Sequence, residues 1–144
     1  MKYLHSMVRI RNIDESMRFY CEGLGLTEIR RKDVPSGKFT LIFLAAPDDS
    51  STNDIPPMIE LTYNWEPETY DNARNFGHLA FSVKNIYDTC THLQSMGIQI
   101  LRPPKDGRMA FIKSPDGISI ELLQEGLPLP MKEPWASQHN IGTW

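Results

Sequence analysis

Cysteine is scarce in this sequence, basic charge is not in excess, and no long apolar run occurs. Its two cysteines, Cys21 and Cys90, are too few for a disulfide framework, so we expect free thiols. The 15 basic and 18 acidic residues give a formal net charge of −3, which offers no basic surface for nucleic acid. The longest apolar stretch, residues 41–46, is far too short to cross a bilayer. No secretion signal opens the chain, so we expect a cytoplasmic protein that binds neither nucleic acid nor a membrane.

The sequence contains one short pattern twice. Residues 5–13 and residues 78–86 each begin with histidine, continue as a strand-like run and end in Asn-Ile. The two copies are offset by 73 positions, which is the distance from His5 to His78 and between the two Asn-Ile pairs. Such a repeat indicates duplicated structural units. Each half of this 144-residue chain would bury little surface alone, so we expect the halves to share a core or to pair with another chain.

Periodicity and turn residues predict the same order of elements in both halves. The first half should contain a helix capped by Asn12 or Asp14 and ending at Gly23 or Gly25, and strands at residues 3–10, 27–31, 39–44 and 58–63. The second half should contain a helix at 85–96 and strands at 78–83, 98–101, 109–112 and 118–123. Composition predicts a loop at 46–57 and an irregular, proline-containing tail at 126–144. Each half is therefore a βαβββ module. We expect one α+β domain over residues 1–125, with modules at about 1–65 and 77–125.

Histidine on the first strand and glutamate on the fourth recur in both modules. These four residues are His5, Glu60, His78 and Glu121. In three of the four strands the opposite face is a clean apolar stripe, because side chains alternate along a strand. One strand histidine or glutamate is more often a solvated or hydrogen-bonded residue, but four at repeated positions favour a ligand set. Two imidazoles and two carboxylates suit zinc, nickel, cobalt or iron. His92 and His139 have no counterpart and are interpreted as a helix-surface and a tail residue.

Several motifs resemble the glyoxalase I (lactoylglutathione lyase) family of the vicinal oxygen chelate superfamily. They comprise His5-Ser6-Met7-Val8-Arg9, Phe19-Tyr20 with Leu24-Gly25-Leu26, Glu60-Leu61-Thr62-Tyr63-Asn64-Trp65, Gly77-His78-Leu79-Ala80, and Ser114-Pro115-Asp116-Gly117 with Ile120-Glu121-Leu122. The resemblance covers residues 1–125, and the run from Glu60 to Trp65 is its most specific part. It implies the glyoxalase/bleomycin resistance/dioxygenase fold, in which two βαβββ modules form a curved mixed sheet.

The resemblance also implies roles for individual residues. The metal ligands would be His5, Glu60, His78 and Glu121, and the glutathione-binding residues would be Arg9, Asn64 and Arg74. Glu121 would be the main catalytic base and Glu60 its counterpart for the other hemithioacetal epimer. The implied reaction isomerises the methylglyoxal–glutathione hemithioacetal to S-lactoylglutathione. The implied cofactor is one divalent ion per site, nickel or zinc with cobalt as a further candidate. Glutathione is the implied co-substrate, and a homodimer is the implied assembly.

Two segments depart from the family pattern. The loop at 103–108 is shorter than expected, and neither Lys105 nor Arg108 aligns securely with the basic contact that this loop supplies in the family. The tail carries Trp135 and Trp144 and could cover the active site or pack on a neighbouring subunit. Of these two arrangements, we favour packing on a neighbouring subunit.

Three alternatives share the fold. A methylmalonyl-CoA epimerase-like enzyme would carry an amide where this chain has Glu60. An extradiol dioxygenase-like enzyme needs two histidines, one carboxylate and open iron positions, whereas four protein ligands leave less room. A drug-sequestering resistance protein need not keep metal ligands at all, so the four retained residues weigh against a binding module.

Overall fold

The chain divides into two compact units, Met1–Asp71 and Asn72–Trp144. They are seen in a computed structural model that describes residues 4–52, 56–70, 76 and 78–144. In that part of the chain, every helix is too short or too polar to cross a membrane. Arg74 and Gly77, which belong to the predicted site and its motif, lie outside the described residues.

The first unit is a four-stranded sheet with two short α-helices. Its elements in chain order are β1 His5–Ile10, α1 Ile13–Met17, a π-helical turn Arg18–Gly23, β2 Thr27–Val34, β3 Phe39–Ala45, α2 Pro47–Thr52 and β4 Met58–Asn64. The strand order is β1-β4-β3-β2, in which β1 runs parallel to β4 and the other pairs are antiparallel. The first and last strands of the module, β1 and β4, therefore form a parallel pair at one edge of the sheet.

The second unit repeats this plan with one strand fewer. Its elements are β5 Leu79–Val83, α3 Ile86–Ser95, β6 Met109–Lys113 and β7 Ser119–Gln124. The strand order is β5-β7-β6, with β5 parallel to β7 and β6 antiparallel to it. The equivalence of β1, β3 and β4 with β5, β6 and β7 confirms the predicted duplication.

The two asparagines of the repeat cap the helices that follow them. The Asn12 side chain accepts a hydrogen bond from the Glu15 amide at 3.0 Å, so Asn12 rather than Asp14 is the cap. The Asn85 side chain accepts bonds from the amides of Tyr87 and Asp88, at 3.1 and 3.3 Å. Each cap satisfies amides that have no partner within the helix, which fixes where the chain turns from strand to helix.

The apolar stripes predicted for β4 and β7 contribute to the cores of the two units, whereas the stripe predicted for β5 is only half-buried. In the first unit the fully buried side chains include Ile10, Ile42, Leu44 and Leu61. In the second unit they include Ile86, Leu93, Ile112, Ile120 and Leu122. Burial of such side chains stabilises each by about 1.5–3 kcal/mol relative to exposure. The opposite faces of β1 and β4, and of β5 and β7, are left for polar side chains.

Two sequence predictions were wrong. Part of the predicted loop at 46–57 is the helix α2, which begins at Pro47 with Asp48 and Asp49 in its first turn. The predicted strand at 98–101 is reduced to a single bridge between Arg102 and Phe111. The Ile98 amide already bonds to the Leu93 carbonyl at the end of α3, and two prolines follow at 103 and 104. Because proline has no amide N–H, little of this segment is left to pair with β6.

Candidate metal centre and active site

His5 and Glu60 form the first pair of ligand-type side chains. Parallel pairing of β1 with β4 places His5 opposite Met58 and Met7 opposite Glu60, so both side chains lie on the same face of the sheet. The Nε2 atom of His5 is 3.2 Å from Oε2 of Glu60, and the glutamate side chain is only 14% exposed. The Thr62 hydroxyl approaches Oε1 of Glu60 at 3.4 Å. The carboxylate is therefore held in place, with the imidazole on its more exposed side.

His78 and Glu121 form the equivalent pair in the second unit. His78 immediately precedes β5, and the parallel register places Ala80 opposite Glu121 on β7. The Nε2 atom of His78 is 3.0 Å from Oε2 of Glu121, whose side chain is again 14% exposed. Within each unit, the structure brings together the histidine and the glutamate that the strand pattern placed on one face.

The spacing inside each pair fits two adjacent ligands of one divalent ion. Zinc-type ions bind imidazole nitrogen and carboxylate oxygen at about 2.0–2.2 Å, so two donors lie about 3 Å apart at an octahedral angle and about 3.4 Å apart at a tetrahedral angle. The observed separations are 3.2 and 3.0 Å. In the described part of the chain, no third histidine, cysteine, aspartate or glutamate completes a cluster with either pair. A shared set of four ligands therefore stays a prediction, to which each unit contributes half.

A phenylalanine lies against each histidine and is the cross-strand neighbour of each glutamate. Phe43 pairs with Glu60 and Phe111 with Glu121. The Phe43 ring meets His5 edge-on with centroids 5.8 Å apart, and the Phe111 ring meets His78 in the same way at 5.5 Å. These aromatic contacts restrict the orientation of both imidazoles. The two phenylalanines were not singled out from the sequence, and spacing gave no signal for them, because Phe43 lies 17 residues before Glu60 whereas Phe111 lies 10 residues before Glu121.

The groups that lie over these phenylalanines differ between the units. The guanidinium carbon of Arg30, on β2, lies 3.9 Å from the centre of the Phe43 ring. The indole of Trp144 stacks on Phe111, with centroids 5.6 Å apart and planes inclined by 25°. One ring is therefore covered by a cation and the other by an aromatic group.

Arg9 and Asn64 extend from the same end of the β1–β4 pair. Arg9 pairs with Thr62, two residues before Asn64, and its side chain is exposed. Each lies four residues beyond its ligand-type neighbour, about 13 Å along the strand. The Asn64 side-chain amide donates to Oε2 of Glu68 at 3.0 Å. Burial raises the pKa of the nearby Tyr70 phenol, and its hydrogen bond to Glu68 raises that pKa further. Neither Glu68 nor Tyr70 was anticipated, because both follow β4 in a segment without a period.

The loop before β6 is closed by its own aspartate. Asp106 accepts hydrogen bonds from the amides of Arg108 and Met109, at 3.0 and 3.2 Å, and from the Arg102 guanidinium at 3.0 Å. Partial burial opposes ionisation of Asp106, but these donors outweigh it and lower its pKa. A contact from Lys105 or Arg108 to substrate remains a prediction.

The protein contains two α+β units, and each has a parallel strand pair that presents a histidine and a glutamate on one face. This duplicated fold is of a kind used by small metalloenzymes. The chain belongs to the Glyoxalase/Bleomycin resistance protein/Dioxygenase superfamily, whose family model matches residues 2–122. The tail at 126–144 lies beyond the matched region.

Relatives within this superfamily are similar over most of their length. A probable lactoylglutathione lyase from Synechocystis is 42% identical over 129 residues, covering 86% of this chain and 95% of the relative. A lactoylglutathione lyase from Neisseria meningitidis is 38% identical over 130 residues, covering 87% and 91%. The solved structure of the trypanothione-dependent glyoxalase I of Leishmania major has a TM-score of 0.77 and 37% identity, covering 87% of each chain.

Proposed function

We propose that this chain is a lactoylglutathione lyase that isomerises the hemithioacetal of methylglyoxal and glutathione to S-lactoylglutathione. The observation that carries the proposal is the duplicated His–Glu pair, with its nitrogen and oxygen 3.2 Å apart in one unit and 3.0 Å apart in the other. The curated relatives that bear this name are similar across nearly their whole length. The reaction detoxifies methylglyoxal by moving one proton between neighbouring carbons, so no net oxidation of the substrate is required.

The ligands of one divalent ion would be His5, Glu60, His78 and Glu121. Nickel and zinc both suit two imidazoles and two carboxylates, and cobalt is a further candidate. When bound, such an ion acts as a Lewis acid on the two neighbouring oxygens of the hemithioacetal and stabilises negative charge there. The four ligands come from one chain or from two chains of a homodimer.

Glu121 would move the proton. Its carboxylate takes the proton from carbon 1 of the hemithioacetal and returns it to carbon 2, while the hydroxyl proton passes from the oxygen of carbon 1 to that of carbon 2. Carbon 1 thereby becomes the thioester carbonyl, and the ketone at carbon 2 becomes the alcohol of lactate. Glu60 would serve the other epimer from its equivalent position. Both carboxylates are largely shielded from water, with side chains 14% exposed, and this limits proton exchange with solvent during the transfer.

Arg9 and Asn64 would bind the carboxylates of glutathione, with Arg74 as a further contact. The planar guanidinium of arginine can bond both oxygens of a carboxylate. The separation of about 13 Å from the His5–Glu60 pair suits a tripeptide whose sulfur lies at the reacting centre. The hydrogen bond from Asn64 to Glu68, at 3.0 Å, would orient the amide before substrate binds.

A homodimer of single-domain chains would complete the assembly, with both modules in one domain over residues 1–125. Several large apolar side chains on the described part of the first unit are well exposed and support this assignment; they include Leu4, Met7, Ile29 and Trp65. Large apolar side chains that are exposed in one chain are available to be buried against a second copy.

A metal-reconstitution assay tests the proposal. Chelated protein is given methylglyoxal and glutathione, followed by nickel, cobalt or zinc, while thioester absorbance is recorded. We expect no thioester before metal addition and rapid formation after at least one of the three ions. No thioester with any ion would contradict the proposal and favour an epimerase, a dioxygenase or a binding protein. Replacing glutathione with trypanothione or bacillithiol in parallel identifies the thiol.

A further inference from the structure

The C-terminal tail, residues 126–144, is fixed to the second unit although it contains no helix or strand. The Leu129 amide donates to the Gly107 carbonyl at 3.0 Å, and the Tyr87 hydroxyl donates to the Pro130 carbonyl at 2.9 Å. Trp135 is buried, with 4% of its surface exposed. The tail therefore has a defined path from β7 across the unit.

The end of the tail returns to the edge of the sheet beside β6. The Leu101 amide donates to the Phe111 carbonyl at 2.8 Å, and the Ile141 amide donates to the Leu101 carbonyl at 2.8 Å. Gly142 then adopts a φ of 66°, a left-handed conformation that suits glycine. This turn brings Trp144 onto the Phe111 ring, on the face of the sheet that carries Glu121.

Trp144 consequently lies close to the His78–Glu121 pair. The Trp144 and Phe111 centroids are 5.6 Å apart and the Phe111 and His78 centroids 5.5 Å apart, so the indole and the imidazole are separated by at most the sum of these spacings, about 11 Å. Phe111 itself is only 7% exposed and presents little surface to a ligand. Of the Phe111 and Trp144 rings, the indole is therefore the one accessible to a ligand.

The two tail tryptophans differ in the way expected of an anchor and a binding surface. Trp135 is 4% exposed, whereas Trp144 is 40% exposed despite its stacking on Phe111. An indole whose only role was to hold the tail would gain more by being buried, as Trp135 is. A large apolar ring left accessible beside a ligand pair is instead available to pack against part of a substrate.

We infer that Trp144 forms the apolar wall of the His78–Glu121 half of the site and determines which 2-oxoaldehyde side chains are accepted. The inference rests on the proposed function. The hemithioacetal carries the carbon substituent of the aldehyde next to the reacting atoms, and this substituent is apolar whether it is methyl or phenyl. The indole offers a flat apolar surface to that substituent, and a phenyl group gains more from it than a methyl group does.

Steady-state kinetics on the metal-loaded enzyme test this inference with the glutathione hemithioacetals of methylglyoxal and phenylglyoxal. We expect Trp144→Ala to lower the ratio of kcat/KM for phenylglyoxal over methylglyoxal by about 3- to 10-fold, the range of one lost aromatic contact. Trp144→Phe should change the ratio by less than about 2-fold, since it keeps an aromatic face. The matched control is Leu127→Ala, an apolar tail residue that is 85% exposed, and it should leave the ratio unchanged.

Binding of two unreactive thioethers supplies a readout independent of catalysis. Trp144→Ala should weaken binding of S-benzylglutathione by a similar factor, about 3- to 10-fold, and change that of S-methylglutathione little. Equal losses with both substrates and both thioethers would overturn the inference, because Trp144 would then only support Phe111. An unchanged ratio would overturn it as well. If the wild-type enzyme formed no thioester from either aldehyde, the proposed function itself would fail, a result distinct from either of these.

Discussion

The two units hold their ligand-type pairs in nearly the same geometry. The nitrogen–oxygen distance is 3.2 Å between His5 and Glu60 and 3.0 Å between His78 and Glu121, and both glutamate side chains are 14% exposed. In each unit the glutamate lies on the strand that pairs in parallel with the strand led by the histidine. The same parallel strand pairing therefore accompanies the same His–Glu geometry in both units, although the neighbouring segments differ.

The groups surrounding the pairs have diverged. In the first unit, β2 pairs with β3 along its length apart from a register shift between Glu28 and Arg30, and Arg30 lies over Phe43. In the second unit, a single bridge replaces that ladder and the tail brings Trp144 over Phe111 instead. The comparison indicates that the strands constrain the His–Glu pair that we propose as metal ligands in each unit. The groups that cover Phe43 and Phe111 come from segments that differ between the units, so one ring is covered by a cation and the other by an indole.

Glutamine substitution of each glutamate tests whether the units contribute equally to proton transfer. We expect Glu121→Gln to lower kcat at least about 100-fold while retaining some metal, because an amide cannot accept the substrate proton. Glu60→Gln should lower kcat less for the preferred epimer. Turnover and bound metal are measured for both variants. Near wild-type turnover of Glu121→Gln would reject its role as the main base.

Alanine substitution of two glycines tests how firmly each unit fixes its turns. A Cβ on Gly107, where φ is 65°, would lie 2.0 Å from the Leu129 carbonyl oxygen. We expect Gly107→Ala to lower the free energy of unfolding by about 2–3 kcal/mol. A Cβ on Gly37 meets a Phe39 ring carbon at 2.3 Å, but that side chain can rotate. Gly37→Ala should therefore cost about 1 kcal/mol or less. Urea unfolding measures both, and equal losses would contradict the difference.

Removal of the exposed arginine on β1 tests whether the first unit binds the remote part of the substrate. We expect Arg9→Ala to raise KM for the glutathione hemithioacetal about 10-fold and to change kcat by less than about 3-fold, since its contact is distant from the reacting carbons. Lys84→Ala, which removes a basic residue just after β5, is the control and should leave both constants unchanged. A KM unaffected by Arg9→Ala would reject the assignment.

Removal of the cation over Phe43 should have the smallest effect. We expect Arg30→Ala to lower the free energy of unfolding by about 0.5–1 kcal/mol, the usual range for a cation over an aromatic ring near the surface. Lys32→Ala, two residues further along β2, is the matched control, with an expected change within about 0.5 kcal/mol. If the two variants were equally stable, the contact between Arg30 and Phe43 would contribute nothing measurable.

The parts of the structure that follow local rules could be predicted from the sequence. The period of two along a strand placed His5 and Glu60 on one face and the buried Leu61 on the other, as observed. The caps at Asn12 and Asn85 follow from the side-chain chemistry of asparagine before a helix. Those features depend on neighbours a few residues away, which the sequence displays directly.

Contacts between distant segments could not be predicted in this way. The stacking of Trp144 on Phe111 depends on the path of an irregular tail, and residues 126–144 contain no hydrophobic periodicity from which that path could be predicted. The bond from Asn64 to Glu68 spans only four residues, but Glu68 lies in an irregular segment, where spacing does not predict the direction of a side chain. The helix α2 was missed for another reason: its proline and acidic start signals lie within a composition typical of loops.

Nickel binding by single histidine variants tests whether the His5–Glu60 and His78–Glu121 pairs bind one ion together. Metal-free wild-type protein, His5→Ala and His78→Ala are titrated with nickel, and the affinity and the number of ions per chain are determined. We expect about one ion per chain in the wild type and a loss of affinity of at least about 100-fold in each variant, because each removes a ligand of the same ion. A variant that kept wild-type affinity, or a wild type that bound two ions per chain independently, would contradict it.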